Sequence, residues 1–457
     1  VNTKFADFTG ALYELPGVTI HNGEARGYVA ASADRHDLIQ VTLLDSFNAS
    51  SAGLYALSEN YLYTLEAFSE YLRHLQPGGI LSITRWTKTP PRDGLKIFAT
   101  AIEALQRNGI VEPGRQLLMI RSWNTSTLLV KNEPFSRDAI KNLKTFCAER
   151  WFDLVFYPGM TATEANRYNQ LQESWYFEAA SQLLGPAPAA FMDDYKFNIR
   201  PATDDRPYFS HFLKWQTLPE LLALRNRGAM PLLEWGYLIL IATLVTALLA
   251  SLLLVLLPLW LQRGVETQVR ALRWRIIGYF TAIGMAFMFI EIAFIQKFIL
   301  FLHHPLYAVS VVLCAFLVFA GLGSLVSARW RKHVPLFRIT LGIGLLSVLY
   351  ILLLPGLFNG LVQIPGVLKI PISALLIAPL AFLMGMPFPA GLALVSDKLP
   401  SWIPWAWGIN GCASVVSAIL ATLLAIHLGF MFVVLMAIIL YLLAAMVLPG
   451  KGSHKRG

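Results

Sequence analysis

Three segments decide the fold of the first half of the chain: Asp37-Leu-Ile-Gln-Val-Thr-Leu-Leu-Asp45, Asn60-Tyr-Leu-Tyr-Thr-Leu-Glu-Ala-Phe68 and Gly79-Ile-Leu-Ser-Ile-Thr-Arg-Trp86. The first and the last are short apolar runs rich in β-branched residues, which is typical of buried parallel strands. From Asn60 to Leu75 the apolar residues recur on one helical face. The segments therefore predict a strand, a helix and a strand of a parallel sheet. Ligands of such sheets bind beyond the carboxyl ends of the strands, here near Asp45.

The composition indicates that part of the chain lies in lipid. Hydrophobic residues make up 56% of the 457 residues, and the mean hydropathy is +0.54, which is too apolar for a soluble protein. Residues 1–230 hold 23 Lys and Arg against 24 Asp and Glu, whereas residues 231–457 hold 14 against 4. The net charge of +9 thus comes from the apolar half. It indicates basic membrane loops and argues against a nucleic-acid-binding surface.

Seven apolar runs in the second half are long enough to cross a bilayer. They cover residues 236–261, 276–302, 307–327, 336–357, 371–395, 403–428 and 430–448. Pro379, Pro387 and Pro389 predict a break in the fifth run, whose freed backbone groups need partners in the protein. We expect a multi-pass protein of a bacterial-type inner (plasma) membrane, with the lipid bilayer as its first partner.

The ordered motifs of the first half resemble a known family. The strand ending at Asp45-Ser, the Ser58-Glu-Asn-Tyr segment, Glu66-Ala-Phe and the Pro77-Gly-Gly-Ile-Leu strand are similar to spermidine synthase and its S-adenosylmethionine-methyltransferase-fold relatives. Thr203-Asp-Asp-Arg-Pro207 and Phe289-Ile-Glu-Ile further resemble the spermidine-synthase-like proteins that carry multi-span membrane domains.

The resemblance implies the domain organisation. Residues 1–210 would form an α/β Rossmann-like, methyltransferase-type domain, 211–235 a linker, 236–448 an all-α membrane domain of about seven helices and 449–457 a basic tail. The family's glycine-rich turn and the acid of its second strand should precede Val1. We therefore expect the first strand–helix–strand unit to be missing from this sequence. The run Gly17 to His21 is then predicted to be the first strand present.

The resemblance also implies an activity, the transfer of an aminopropyl or methyl group from an S-adenosyl donor to an amine. The donor would be decarboxylated S-adenosylmethionine or S-adenosylmethionine. Glu24 matches the family's adenine-binding acid, although an acid at this position can instead begin a helix. Thr42 stands where the family has its catalytic acid, and it cannot accept a proton near neutral pH. Asp45 matches the second acid, beside the acceptor, or caps a turn.

Two acids close the soluble domain, and a third lies in the membrane half. Asp204 and Asp205 either bind a cationic substrate or form a turn in which one of them pairs with Arg206. Glu291 lies in the middle of the second apolar run, where an ionised side chain is costly. It either binds an amine or makes a packing hydrogen bond in its protonated form, and Pro387 and Asn410 are its plausible companions by type.

A second function also fits the sequence: a non-catalytic or transport-linked membrane protein with a degenerate nucleoside-binding domain. Seven spans place the basic loops on one side, cytoplasmic by the positive-inside rule, and the soluble domain on the other. An S-adenosyl donor is cytoplasmic, so the side of the soluble domain stays open. The adjacent His303 and His304 seldom suit one ion, and we expect no metal. A small amine is an expected partner, nucleic acid is not, and the oligomeric state stays open.

Overall fold

The computed structural model of the protein describes residues 6–43, 57–223, 235–261, 270–330 and 334–447. The described chain forms an α/β domain with a five-stranded mixed sheet. Seven helices that are long and apolar enough to cross a membrane follow it. This confirms the predicted order of an α/β half followed by a multi-pass helical half.

The sheet has the strand order β1-β2-β4-β3-β5. Its strands are β1 (His36–Val41), β2 (Leu75–Trp86), β3 (Leu117–Arg121), β4 (Thr125–Lys131) and β5 (Asp153–Phe156). β1 runs parallel to β2, as predicted, and the other three pairs are antiparallel.

Two predictions about strands are wrong. β1 was expected to be buried, but it lies at the edge of the described sheet, and Leu38 is 55% exposed. The run Gly17 to His21 was expected to form a strand, but these residues are irregular and Val18 and Ile20 are exposed. A β-branched run becomes a strand only where a neighbouring strand offers hydrogen bonds and a packing surface. The residues of the run itself do not show whether such a neighbour exists.

The helices of the α/β domain are α1 (Ala6–Thr9), α2 (Ala25–Ala31), α3 (Leu65–Arg73), α4 (Asp93–Arg107), α5 (Arg137–Arg150), α6 (Trp175–Leu183), α7 (Pro188–Asp194) and α8 (Leu218–Ala223). α3 starts later than predicted, because a 3₁₀ turn over Tyr61–Tyr63 precedes it and the side chain of Thr64 caps it. Its Leu65, Phe68 and Leu72 are buried in the core beneath the sheet.

The membrane spans match the seven predicted runs closely. They are Trp235–Leu254, Ala271–Leu302, Pro305–Trp330, Leu336–Gly360, Gly366–Lys398, Pro400–Leu428 and Phe430–Val447, numbered first to seventh below. The fifth span consists of two helices, Gly366–Met384 and Pro387–Lys398, which confirms the predicted break. The Tyr279 hydroxyl donates to the Pro387 carbonyl at 2.6 Å, so a neighbouring span satisfies a backbone group at the break.

The third and fifth spans cross at glycines. A Cβ on Gly323 would lie 1.9 Å from the carbonyl oxygen of Phe382, and one on Gly385 would lie 1.9 Å from that of Ala320. The two backbones therefore pack in direct contact, as small residues allow between membrane helices.

Packing of the α/β domain continues past residue 210. Phe212 is buried in the core of the α/β domain, and Nζ of Lys96 donates to the carbonyl of His211 at 3.1 Å. The predicted linker therefore begins as part of the domain, and its residues 224–234 lie outside the described residues.

Candidate functional site

A chamber of about 550 Å³ lies between the α/β domain and the membrane helices. Its polar wall comes from the start of α2, from α3 and from the loop around Asp204. Its apolar wall comes from the second, fourth and seventh spans and includes Phe294, Leu354, Phe358 and Val434. The volume lies in the usual range of small-molecule sites, about 300–1,000 Å³.

Glu24 borders the chamber as the residue that begins α2. Its carboxylate accepts the backbone N–H of Arg26 at 3.1 Å and that of Gly27 at 2.6 Å. A capping acid satisfies N–H groups that have no partner in the helix. The helix-start role foreseen for Glu24 is therefore present, and its contact with adenine stays a prediction.

Asp204 forms an ion pair with Arg26 across the polar wall. The two guanidinium nitrogens donate to the two carboxylate oxygens at 2.6 and 2.7 Å. Thr64 also donates to Asp204 at 2.7 Å, and the N–H of Asp204 donates to Glu66 at 2.8 Å. Burial and the charge of Asp204 both raise the pKa of Glu66. The pair fixes α2, α3 and the loop around Asp204 as one wall.

Asp205 joins the α/β domain to the seventh span. Its carbonyl accepts the N–H of Phe430 at 3.0 Å, and its side chain accepts the N–H of Met431 at 2.8 Å. Asp205 thus caps a membrane helix from another part of the chain, where the helix dipole favours negative charge. The predicted turn is present, with the N–H of Arg206 bonded to the carbonyl of Thr203 at 2.9 Å.

The alternative in which Arg206 pairs with one of these acids is wrong for the described structure. The carboxylate of Asp204 instead pairs with the guanidinium of Arg26. The carboxylate of Asp205 accepts a backbone N–H at the start of the seventh span. Both partners are distant in sequence, which is why the local motif did not reveal them.

A second set of hydrogen bonds, around Gln296, connects the α/β domain to the second span. Gln296 accepts from the hydroxyl of Tyr61 at 3.2 Å and donates to Glu59 at 2.9 Å. The hydroxyl of Tyr208 also donates to Glu59 at 3.2 Å. Burial raises the pKa of Glu59. The α/β domain thus supplies the hydrogen-bond partners that the polar side chain of Gln296 needs in an apolar span.

Glu291 lies in the bundle away from the chamber. It is 6% exposed, and within the described ranges no hydrogen bond or ion pair reaches its carboxyl group. Lys297 lines the chamber, and at 3.6 residues per turn Glu291 points roughly 120° away from it. The suggested companions do not bond to it, since Asn410 packs against Gly284 and Tyr279 occupies the carbonyl of Pro387.

Thr42 follows β1 and is exposed at the edge where β2 ends. The parallel register, with Val41 opposite Ile83, places it beside the last residues of β2. Asp45 lies outside the described residues.

Sequence reasoning missed a buried basic cluster at the end of β2. Arg85 and Lys88 approach Asp93 at 3.4 and 3.1 Å, and Arg92 and Lys96 are buried beside them. Burial alone would raise the pKa of Asp93, but the neighbouring cations outweigh burial and lower it. Basic residues three or four positions apart were the available signal. This edge is cationic, whereas the acids gather at the chamber.

The described residues contain no group of three or more His, Cys, Asp or Glu side chains that could hold a metal ion. A comparison with models of known protein families gives no match to this chain, and neither does a comparison with curated proteins. Fold and site define a multi-pass membrane protein with an α/β domain docked on its helices, and a chamber at the junction.

Proposed function

We propose that the protein is a membrane-bound transferase of the spermidine synthase type, which moves an aminopropyl or methyl group from an S-adenosyl donor to an amine. The observation that carries the proposal is the convergence of Glu24, Asp204 and Asp205 on one chamber. The sequence predicts donor- and substrate-binding roles for these residues, which come from opposite ends of the α/β domain. This convergence supports a shared site.

The residues of the chamber suit the donor in one respect that can be tested. Each carboxylate oxygen has two acceptor positions. Glu24 uses one on each oxygen for the N–H groups of α2, and the remaining positions are available to an adenine N–H. An S-adenosyl donor supplies a carbon made electrophilic by the adjacent sulfonium.

Glu66 is an acid of the chamber whose surroundings favour its protonated form, as a group that accepts a proton requires. The nitrogen of the amine must lose a proton as its bond to carbon forms and the carbon–sulfur bond breaks. A useful base has a pKa near the working pH. Burial and the charge of Asp204 raise the pKa of Glu66, and Glu66 lines the chamber. We therefore assign to Glu66 the proton transfer that Thr42 cannot perform.

The experiment is calorimetry of the full chain in lipid nanodiscs with methylthioadenosine, the product that aminopropyl transfer leaves, and separately with S-adenosylhomocysteine, the product that methyl transfer leaves. We expect binding that weakens at least tenfold in Glu24→Ala, and we expect Glu66→Gln to bind the compound but to lose transfer to amines. Asp193→Asn, on the outer surface of the domain, is the control. Absence of binding of both products at millimolar ligand would exclude the transferase.

A second candidate, a non-catalytic or transport-linked protein, has one specific observation in its favour. The α/β domain contacts Gln296 near one end of the second span, whereas Arg273 and Arg275 lie at the other end. If basic ends face the cytoplasm of the proposed plasma membrane, the domain lies outside, away from the donor. Amine binding by the chain without binding of methylthioadenosine would favour this candidate.

A further inference from the structure

We propose that the chamber binds an aminophospholipid, a membrane amphiphile whose headgroup carries a phosphate and a primary amine. The inference deepens the proposed function, because it names the class of the acceptor, and it relies on that function only for the fate of the amine. Its support comes from the length of the chamber, from its charge and from polar groups that have no partner in the described chain.

The chamber extends far along the membrane helices. On the fourth span the lining residues run from Ser347 to Asn359, roughly 18 Å at 1.5 Å per residue. The hydrocarbon core of a bilayer is about 30 Å thick. On the second span Phe294 and Phe301, two turns apart, face the same space. A site for a short water-soluble amine needs no such apolar depth, whereas a lipid chain fills it.

The end of the chamber at the α/β domain is acidic. His303 borders it, and burial lowers the pKa of His303 to about 4, so its ring is neutral. The remaining titratable groups leave an excess of two negative charges: Glu24, Glu66, Glu70, Asp204 and Asp205 against Arg26, Arg73 and Lys297. Such an excess favours a cationic amine.

The polar groups that border the chamber without a hydrogen-bond or ion-pair partner in the described part of the chain include one cation and two buried atoms. Lys297 is the cation among them, about one and a half turns before the end of its helix. Nε2 of His303 and Oγ of Ser347 are buried, and Ser347 is 1% exposed. An unpaired buried polar group is costly, so these atoms indicate a ligand.

The arrangement matches the order of groups in an aminophospholipid. The amine meets the acids of the α/β domain, the phosphate meets Lys297 and His303, and one chain follows the fourth span. A purely anionic lipid would leave the acidic excess unbalanced, and a quaternary headgroup could not donate hydrogen bonds to it.

The test is native mass spectrometry of the full chain with phosphatidylethanolamine, phosphatidylcholine and phosphatidylglycerol of identical chains. We expect phosphatidylethanolamine to bind at least tenfold more tightly than the other two. Lys297→Gln should weaken it at least tenfold, whereas Lys398→Gln, an exposed lysine outside the chamber, should not. Leu354→Trp should block binding without changing any charge, and a melting curve for each variant shows that it is folded.

The proposal is overturned if the three lipids bind equally, or if folded Lys297→Gln and Leu354→Trp bind like the parent. It is also overturned if glycerophosphoethanolamine, which has the headgroup but no chains, binds as tightly as the lipid. None of these measurements needs an S-adenosyl donor. Lipid binding without binding of methylthioadenosine or S-adenosylhomocysteine would therefore refute the transferase alone, and the reverse would refute the lipid site alone.

Discussion

Replacement of Asp204 by Asn tests whether its pair with Arg26 holds the polar wall of the chamber together. Two short contacts, 2.6 and 2.7 Å, join the side chains, which are 20% and 13% exposed. Removing one partner of a buried pair costs about 3–5 kcal/mol. Because both groups keep some contact with water, and the amide oxygen still accepts hydrogen bonds, we expect a loss of about 2–3 kcal/mol.

Asp193→Asn is the matched control. Asp193 also pairs with an arginine, Arg200, but their side chains are 62% and 55% exposed. Exposed pairs contribute about 0–1 kcal/mol. The assay is denaturant unfolding of the full chain in detergent, followed by tryptophan fluorescence.

A double-mutant cycle isolates the interaction itself. Arg26→Gln and Asp204→Asn, alone and together, should show a coupling energy of about 1–3 kcal/mol, as expected for residues in contact. The reasoning is refuted if the coupling is zero, or if Asp204→Asn costs no more than Asp193→Asn.

Three further predictions concern the membrane half and the hydrogen bonds that join it to the α/β domain. Gly323→Ala should lower the free energy of unfolding by about 1–3 kcal/mol, because its Cβ would overlap a carbonyl oxygen of the fifth span. Gly321→Ala is the control, since a Cβ there meets nothing within 4 Å, and it should be neutral or stabilising. Equal melting temperatures of the two variants would contradict this. Glu291 lies away from the chamber and no described group bonds to its carboxyl group, so Glu291→Gln should keep both the melting temperature and amine-dependent activity. Loss of activity at an unchanged melting temperature would contradict this. Burial raises the pKa of Glu59, so the folded state binds its proton more tightly, and stability should fall as pH rises from the ordinary glutamate pKa to the raised one. Glu59→Gln should remove this slope from melting curves recorded across that pH range.

The membrane spans could be predicted because the rule behind them is local. A segment in lipid must satisfy its own backbone, so length and hydropathy suffice to place a helix. The break at Pro387 was equally local, since proline removes a donor. The same local logic failed for the run Gly17 to His21, because a strand depends on a neighbour that the run itself does not specify.

The candidate site was predictable only as a set of residue types. Glu24, Asp204 and Asp205 were selected as acids with a chemical role, but their partners could not be read from spacing. Asp205 contacts a helix that begins at Phe430, and Asp204 contacts Arg26. Such pairings depend on how the α/β domain docks on the spans, and no periodicity within either half encodes that.

The docking itself is the feature on which any function of the chamber depends. Asp205 attaches the α/β domain to the seventh span, and Glu59 attaches it to the second through Gln296. These two spans also line the chamber. A shift of the domain by a few ångströms would therefore break both attachments and separate the acidic wall from the apolar one. Because neither half holds the complete chamber, ligand binding and the docked arrangement must strengthen each other.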